Sequence, residues 1–190
     1  MRKNQSLQER NRQSEQEGLN RFRYRRSCFA YGTLIATPEG MSAIENIKHG
    51  DPVLVGTPRR QENELQLSWS PKTVAFSAGA RGPIPLMIHL QSEDEQEYVI
   101  TPDHLFLMPS GDLTRADRLR PGDQLVRAEG GTMLIALVSA GAYEGGIHNI
   151  ACDVSWNRKI TGHLLNASGV VSGDYTSQLY HPSNRRGPRL

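Results

Sequence analysis

The chain has 190 residues, the length of one ordinary domain with a short appendage. Hydrophobic residues make up 37%, enough for one core, and the longest apolar run, Met133–Val138, is far short of a membrane span. The net charge of +2 hides a division: residues 1–27 hold eight Lys/Arg against three Asp/Glu, whereas residues 28–190 hold fourteen against seventeen.

Residues 1–27 are polar and lack the apolar stretch of a secretory signal, so they read as a basic arm, disordered or weakly helical. Within it, Arg21 to Arg26 interleaves basic and aromatic side chains, a pattern able to contact phosphates and stack on bases. Cys28 and Cys152 suggest no disulfide framework, and the expected setting is cytoplasmic, with no membrane association.

From Cys28 the texture changes. Short β-prone stretches follow at 32–37, 52–55, 65–69, 73–76, 86–90, 98–101, 105–108, 124–126, 133–138, 147–152 and 163–165. Turn signals such as His49-Gly50-Asp51, Ser110-Gly111-Asp112 and Pro121-Gly122-Asp123 separate them. Some eleven short strands and no long helical period predict an all-β domain over 28–181, with 182–190 as a flexible tail.

The body contains an internal echo. Ile44, Ile47, Gly50 and Asp51 recur as Ala116, Leu119, Gly122 and Asp123, each at an offset of 72 residues. Each aspartate is expected to hold a turn through its side chain while the glycine supplies conformational freedom. The pair predicts two related β-subdomains about a pseudo-twofold axis.

Chemistry concentrates at two places. Cys28 stands where the arm meets the β body, and Thr101 and His104 form a TxxH unit at the exit of a strand. A thiol, a hydroxyl and an imidazole are the parts of an acyl-transfer site. Alone, a cysteine is ordinarily a small core residue and a TxxH turn ordinarily a local hydrogen-bonding device. Their joint placement with the repeated Gly-Asp turns carries the functional reading.

These residues resemble the Hint family, the module shared by inteins and hedgehog autoprocessing domains. The first matching block runs from Cys28 through Gly40, Ile44 and Ile47 to Gly50-Asp51, and the second from Val99 through Thr101 and His104 to Gly122-Asp123. A weaker third block spans 162–175 and looks like the family's closing segment. The resemblance implies a horseshoe-like all-β fold and self-cleavage at the Ser27–Cys28 bond. The Cys28 thiolate would attack the Ser27 carbonyl to give a thioester, His104 would protonate the departing nitrogen, and Thr101 would hydrogen-bond around the scissile peptide, either holding it distorted or placing His104. The process would be a single-turnover, cysteine-dependent autoproteolysis with the N-terminal flank as substrate.

The closing segment departs from the splicing pattern. Inteins end on asparagine, usually after histidine, whereas Gly173-Asp174 stands here. The run Gly169-Val170-Val171 before Tyr175 looks closer to hedgehog-type or non-splicing bacterial intein-like domains than to splicing inteins, with Asp174 replacing the hedgehog-type cysteine. Full splicing and sterol transfer are therefore not expected. The thioester is expected to pass to water or to an external thiol or amine, with His163 and Asp174 as candidate bases. Two alternatives stand beside this reading: an inactive Hint fold used as an interaction module, and nucleic-acid binding through the arginine-rich arm. No cofactor and no metal site is expected, since His148 near Cys152 lacks further ligands at supporting spacing. The sequon Asn166-Ala167-Ser168 lies in an expected core strand.

Overall fold

The computed structural model describes residues 27–62 and 64–182. The basic arm up to Arg26, including the Arg21–Arg26 run, and the tail beyond residue 182 lie outside the described residues. Fifteen strands and one short helix form the body. The first six strands are Phe29–Ala30 (β1), Leu34–Thr37 (β2), Gly40–Ala43 (β3), Pro52–Gln61 (β4), Glu64–Thr73 (β5) and Phe76–Ala80 (β6). The next five are Ile84–Ser92 (β7), Glu97–Ile100 (β8), Leu105–Leu107 (β9), Leu113–Arg115 (β10) and Gln124–Val126 (β11). Thr132–Tyr143 (β12), Ile147–Ala151 (β13), Leu164–Ala167 (β14) and Val170–Gly173 (β15) lead into the helix Tyr175–Tyr180 (α1).

All pairings are antiparallel. One sheet has the order β11-β12-β7-β8-β1-β13-β6, and the other β10-β9-β15-β14-β2-β3, with the β4–β5 ribbon joined to β14. The all-β expectation holds. The order also shows why residue 28 is central: β1 is short, yet it lies between β8 and β13 in the middle of its sheet. The main core gathers Phe29, Ile35, Ile44, Ile100, Phe106, Leu125 and Ile150 from both lobes. A nonpolar interior at a chain crossing favours the folded state by removing apolar surface from water.

Four strands, β1, β3, β10 and β15, lie outside the expected stretches, and two expected strands are longer than their β-prone residues. Pro52–Val55 and Leu65–Trp69 grow into ten-residue partners, with Gln61 opposite Glu64, because backbone ladder bonds extend through polar residues that face solvent. The stretch expected at 73–76 is not one strand. Val74 N–H donates to the Asp51 carbonyl and Ala75 N–H to that of Ala151, and these bonds separate β5 from β6.

The echo is a structural repeat. Asp51 accepts Lys48 N–H at 2.8 Å, and Asp123 accepts Arg120 N–H at 2.8 Å. Gly50 and Gly122 have φ of 97° and 95°, the left-handed region that glycine enters without a Cβ penalty. Each copy is preceded by a single 3-10 turn, Ile44–Asn46 or Ala116–Arg118. The correspondence reaches back to the strand exits. Thr33 N–H donates to Ala30 C=O at 3.2 Å, and His104 N–H donates to Thr101 C=O at 3.1 Å. Ile44 N–H then binds Thr33 C=O at 2.9 Å, as Ala116 N–H binds His104 C=O at 2.7 Å. The TxxH unit is therefore the second lobe's version of a turn whose first-lobe residues are Ala30 and Thr33. Phe29 and Ile100, the residues just before these two turns, pair with each other across β1 and β8.

Candidate active site

Cys28 enters the sheet immediately before β1, and Thr101 leaves it immediately after β8. Because the two strands are antiparallel neighbours, these residues meet. Thr101 Oγ1 accepts Cys28 N–H at 2.8 Å, and Thr101 N–H donates to Cys28 C=O at 3.0 Å. The amide nitrogen so held is that of the Ser27–Cys28 peptide bond. On the other side, Asn149 of β13 donates its Nδ2–H to the Ser27 carbonyl oxygen. Its Oδ1 accepts Ile150 N–H at 2.8 Å, which fixes the orientation of the amide and leaves Nδ2 for the carbonyl. Both polar groups of one peptide bond are thus bound by side chains from two different strands. Ser27, Cys28, Thr101 and Asn149 are all buried.

His104 sits at the turn that follows Thr101, its N–H donating to Thr101 C=O at 3.1 Å. Its side chain has no exposed surface, and among the described residues neither ring nitrogen has a hydrogen-bond partner. Phe29 packs edge-on at 4.1 Å between ring centroids, and Phe106 lies at 5.2 Å. Burial alone pushes the imidazole down to about 3, so the ring is neutral at physiological pH.

This has a consequence for stability. In the unfolded chain a histidine titrates near 6.5, so between about pH 6.5 and 3 the unfolded state binds more protons. The stability contributed by a neutral His104 is complete above that window and is lost as pH falls through it. A full loss is on the order of 5 kcal/mol. Urea titrations at pH 7 and pH 4 are expected to show a steeper decline for the parent than for His104→Thr; equal slopes would refute the attribution.

The structure brings His163 and Asp174 to each other at the start of α1. His163 Nδ1 lies 3.0 and 3.2 Å from the two carboxyl oxygens, and both residues are buried. Asp174 also caps the helix by accepting Ser177 N–H at 2.8 Å. Burial raises the Asp174 carboxyl, opposed by the histidine and the cap. Gln178 donates its side-chain N–H to Gly173 C=O at 2.7 Å. A Cβ on Gly173 would meet Ser177 Oγ, so a side chain before residue 174 requires that hydroxyl to leave its bond to Asp174 C=O.

The remaining candidates are accounted for. His148 Nε2 lies 2.8 Å from Ser77 Oγ, whose proton goes to Ile47 C=O at 2.7 Å. Cys152 has its thiol pushed up to about 12, chiefly by burial and then by Asp174, so it is a protonated thiol rather than a second nucleophile. Among the described residues no three His, Cys, Asp or Glu side chains gather as metal ligands. Asn166 Oδ1 is engaged by Gly169 N–H at 3.0 Å. Among the described residues no helix is long and apolar enough to cross a membrane.

Sequence reasoning missed Asn149. The one available signal was two adjacent polar residues, His148 and Asn149, inside the otherwise apolar strand Ile147–Ala151.

An all-β body of two antiparallel sheets, with a buried cysteine peptide held at the crossing, defines an intein-like fold. The family model of the Hint domain matches residues 27–128, more than half of the chain, and the chain belongs to that family. Solved structures agree on the fold. A bacterial intein-like domain from Clostridium thermocellum is 23% identical with a TM-score of 0.62, covering 77% of this chain and 98% of its own. The gp41-1 intein is 21% identical at 0.56, covering 78% and 98%, respectively. A DnaB intein from Synechocystis sp. PCC 6803 is 13% identical at 0.59, again covering 78% and 98%. Comparison with curated protein sequences gave no match. Family and fold together support a self-processing domain in general, consistent with action on its own flanking sequence.

Proposed function

We propose that this Hint domain cleaves its own chain at Ser27–Cys28 through an N-to-S acyl shift. The observation that carries the reading is the double hold on that peptide bond, by Thr101 on its N–H and by Asn149 on its C=O. The neutral His104 imidazole takes the proton of the Cys28 thiol. The thiolate attacks the Ser27 carbonyl carbon, and the negative charge that develops on the oxygen meets the Asn149 N–H. The ring then returns the proton to the Cys28 nitrogen as the C–N bond breaks. The products of this step are a Ser27 thioester on Cys28 and a free α-amine.

The thioester then passes to water or to an external thiol or amine, with the His163–Asp174 pair as the candidate base. Splicing is not part of the proposal. Residue 174 carries a carboxyl where asparagine cyclisation needs an amide, and that carboxyl is engaged by His163 and the helix cap. The resemblance of the closing segment to hedgehog-type domains supports the same division of labour.

One observation favours a second reading, an inactive domain kept as an interaction module: among the described residues neither nitrogen of His104 is engaged. Intact-mass measurement separates the two. The parent chain is expected to lose residues 1–27 on addition of hydroxylamine or dithiothreitol, and Cys28→Ala is expected to remain whole. Full-length parent under every condition would overturn the acyl-shift reading and favour the second.

A further inference from the structure

The enclosure of His104 points to a role for the residue that follows the nucleophile. The ring touches two aromatic walls, Phe29 from β1 and Phe106 from β9, and among the described residues its nitrogens find no hydrogen-bond partner. The charged groups on the adjoining elements are turned elsewhere. Asp117, on the 3-10 turn after β10, binds Arg115 at 2.9 and 2.6 Å, and the charge of Asp103 acts on the same guanidinium. Asp174, reached by continuing the β15–β9 register from the Ser172–Phe106 pair, is bound by His163. Phe29 is fully buried, so its ring is part of the enclosure and not a surface cover.

We propose that Phe29 is a positioning residue of the acyl shift: its ring, with that of Phe106, closes the His104 imidazole off from water. The inference rests on the acyl-shift reading above. A ring held neutral has to accept the thiol proton before it can give one to the leaving nitrogen, so the proton that leaves Cys28 Sγ as the S–C bond forms is the one that arrives at the Cys28 nitrogen as the C–N bond breaks. The device makes cleavage insensitive to pH over the range in which an exposed histidine would charge. First-lobe residues at the matching turn, Ala30 and Thr33, need no such enclosure because neither titrates.

The test uses the full chain. In a Cys28→Ala background, which keeps the flank attached, NMR titration of His104 is expected to give a midpoint far below the ordinary histidine value. Adding Phe29→Ala is expected to raise it by at least about one unit, because water reaches the ring. With Cys28 restored, the cleavage rate of Phe29→Ala is expected to acquire an acid limb near pH 6, absent from the parent. Phe29→Leu, which retains an apolar side chain of similar reach, decides the matter if the alanine variant does not fold: its smaller wall is expected to raise the midpoint by a lesser amount. An unchanged His104 midpoint in whichever variant is folded overturns the proposal. A parent that never cleaves, with the midpoint still rising, overturns the acyl-shift reading instead, and the two failures are thereby told apart.

Discussion

Asn149→Ala is expected to slow thiol-induced cleavage at Ser27–Cys28 by about 100- to 1,000-fold, the usual cost of removing one preorganised donor from a developing oxyanion. The argument is geometric. Asn149 is fixed by its own Oδ1 bond to Ile150 N–H, so Nδ2 needs no reorganisation when charge appears on the Ser27 oxygen. Asn149→Asp sharpens the test. An ionised carboxylate puts acceptors where a donor is required, so its rate is expected to fall at neutral pH and to recover as the carboxyl becomes protonated. A purely structural asparagine would show no such recovery. Parental rates in Asn149→Ala, measured by intact mass over time, would remove this residue from the chemistry.

The second large effect is expected for His104→Thr. The choice comes from the repeat: Thr33 occupies the matching position of the first lobe, where its hydroxyl donates to Ala30 C=O at 2.8 Å. Threonine at 104 can make the same bond to Thr101 C=O, so the turn survives while the imidazole is lost. A lost proton relay costs roughly 100- to 10,000-fold in rate. The vacated ring space leaves a cavity that lowers neutral-pH stability by about 2–4 kcal/mol, so the rate is compared on folded protein only. Cleavage within threefold of the parent would show that the relay lies elsewhere.

Much of this molecule is visible in local patterns. The Gly50-Asp51 and Gly122-Asp123 turns depend on a side chain reaching a backbone N–H three residues away, and such bonds leave a mark at short range. The Cys28 and TxxH units are legible for a related reason, since each is a compact set of residue types with few other uses in that combination. Strand extents were less legible. Polar residues in β4 and β5 pair through their backbones while their side chains face water, and composition records only the second fact.

By itself, then, the sequence determined the all-β class and the two-lobed repeat, and it named the thiol, hydroxyl and imidazole that the proposed acyl shift uses. Only the tertiary structure decided what surrounds them. Asn149 meets Ser27 across 122 positions of chain because β13 lies beside β1, and such a register is set by the packing of the whole sheet. His163 finds Asp174 because β14 and β15 form a hairpin that ends at the cap of α1. The charge state of His104 was the least accessible of all, because ionisation answers to burial, and burial belongs to the fold rather than to any residue in it.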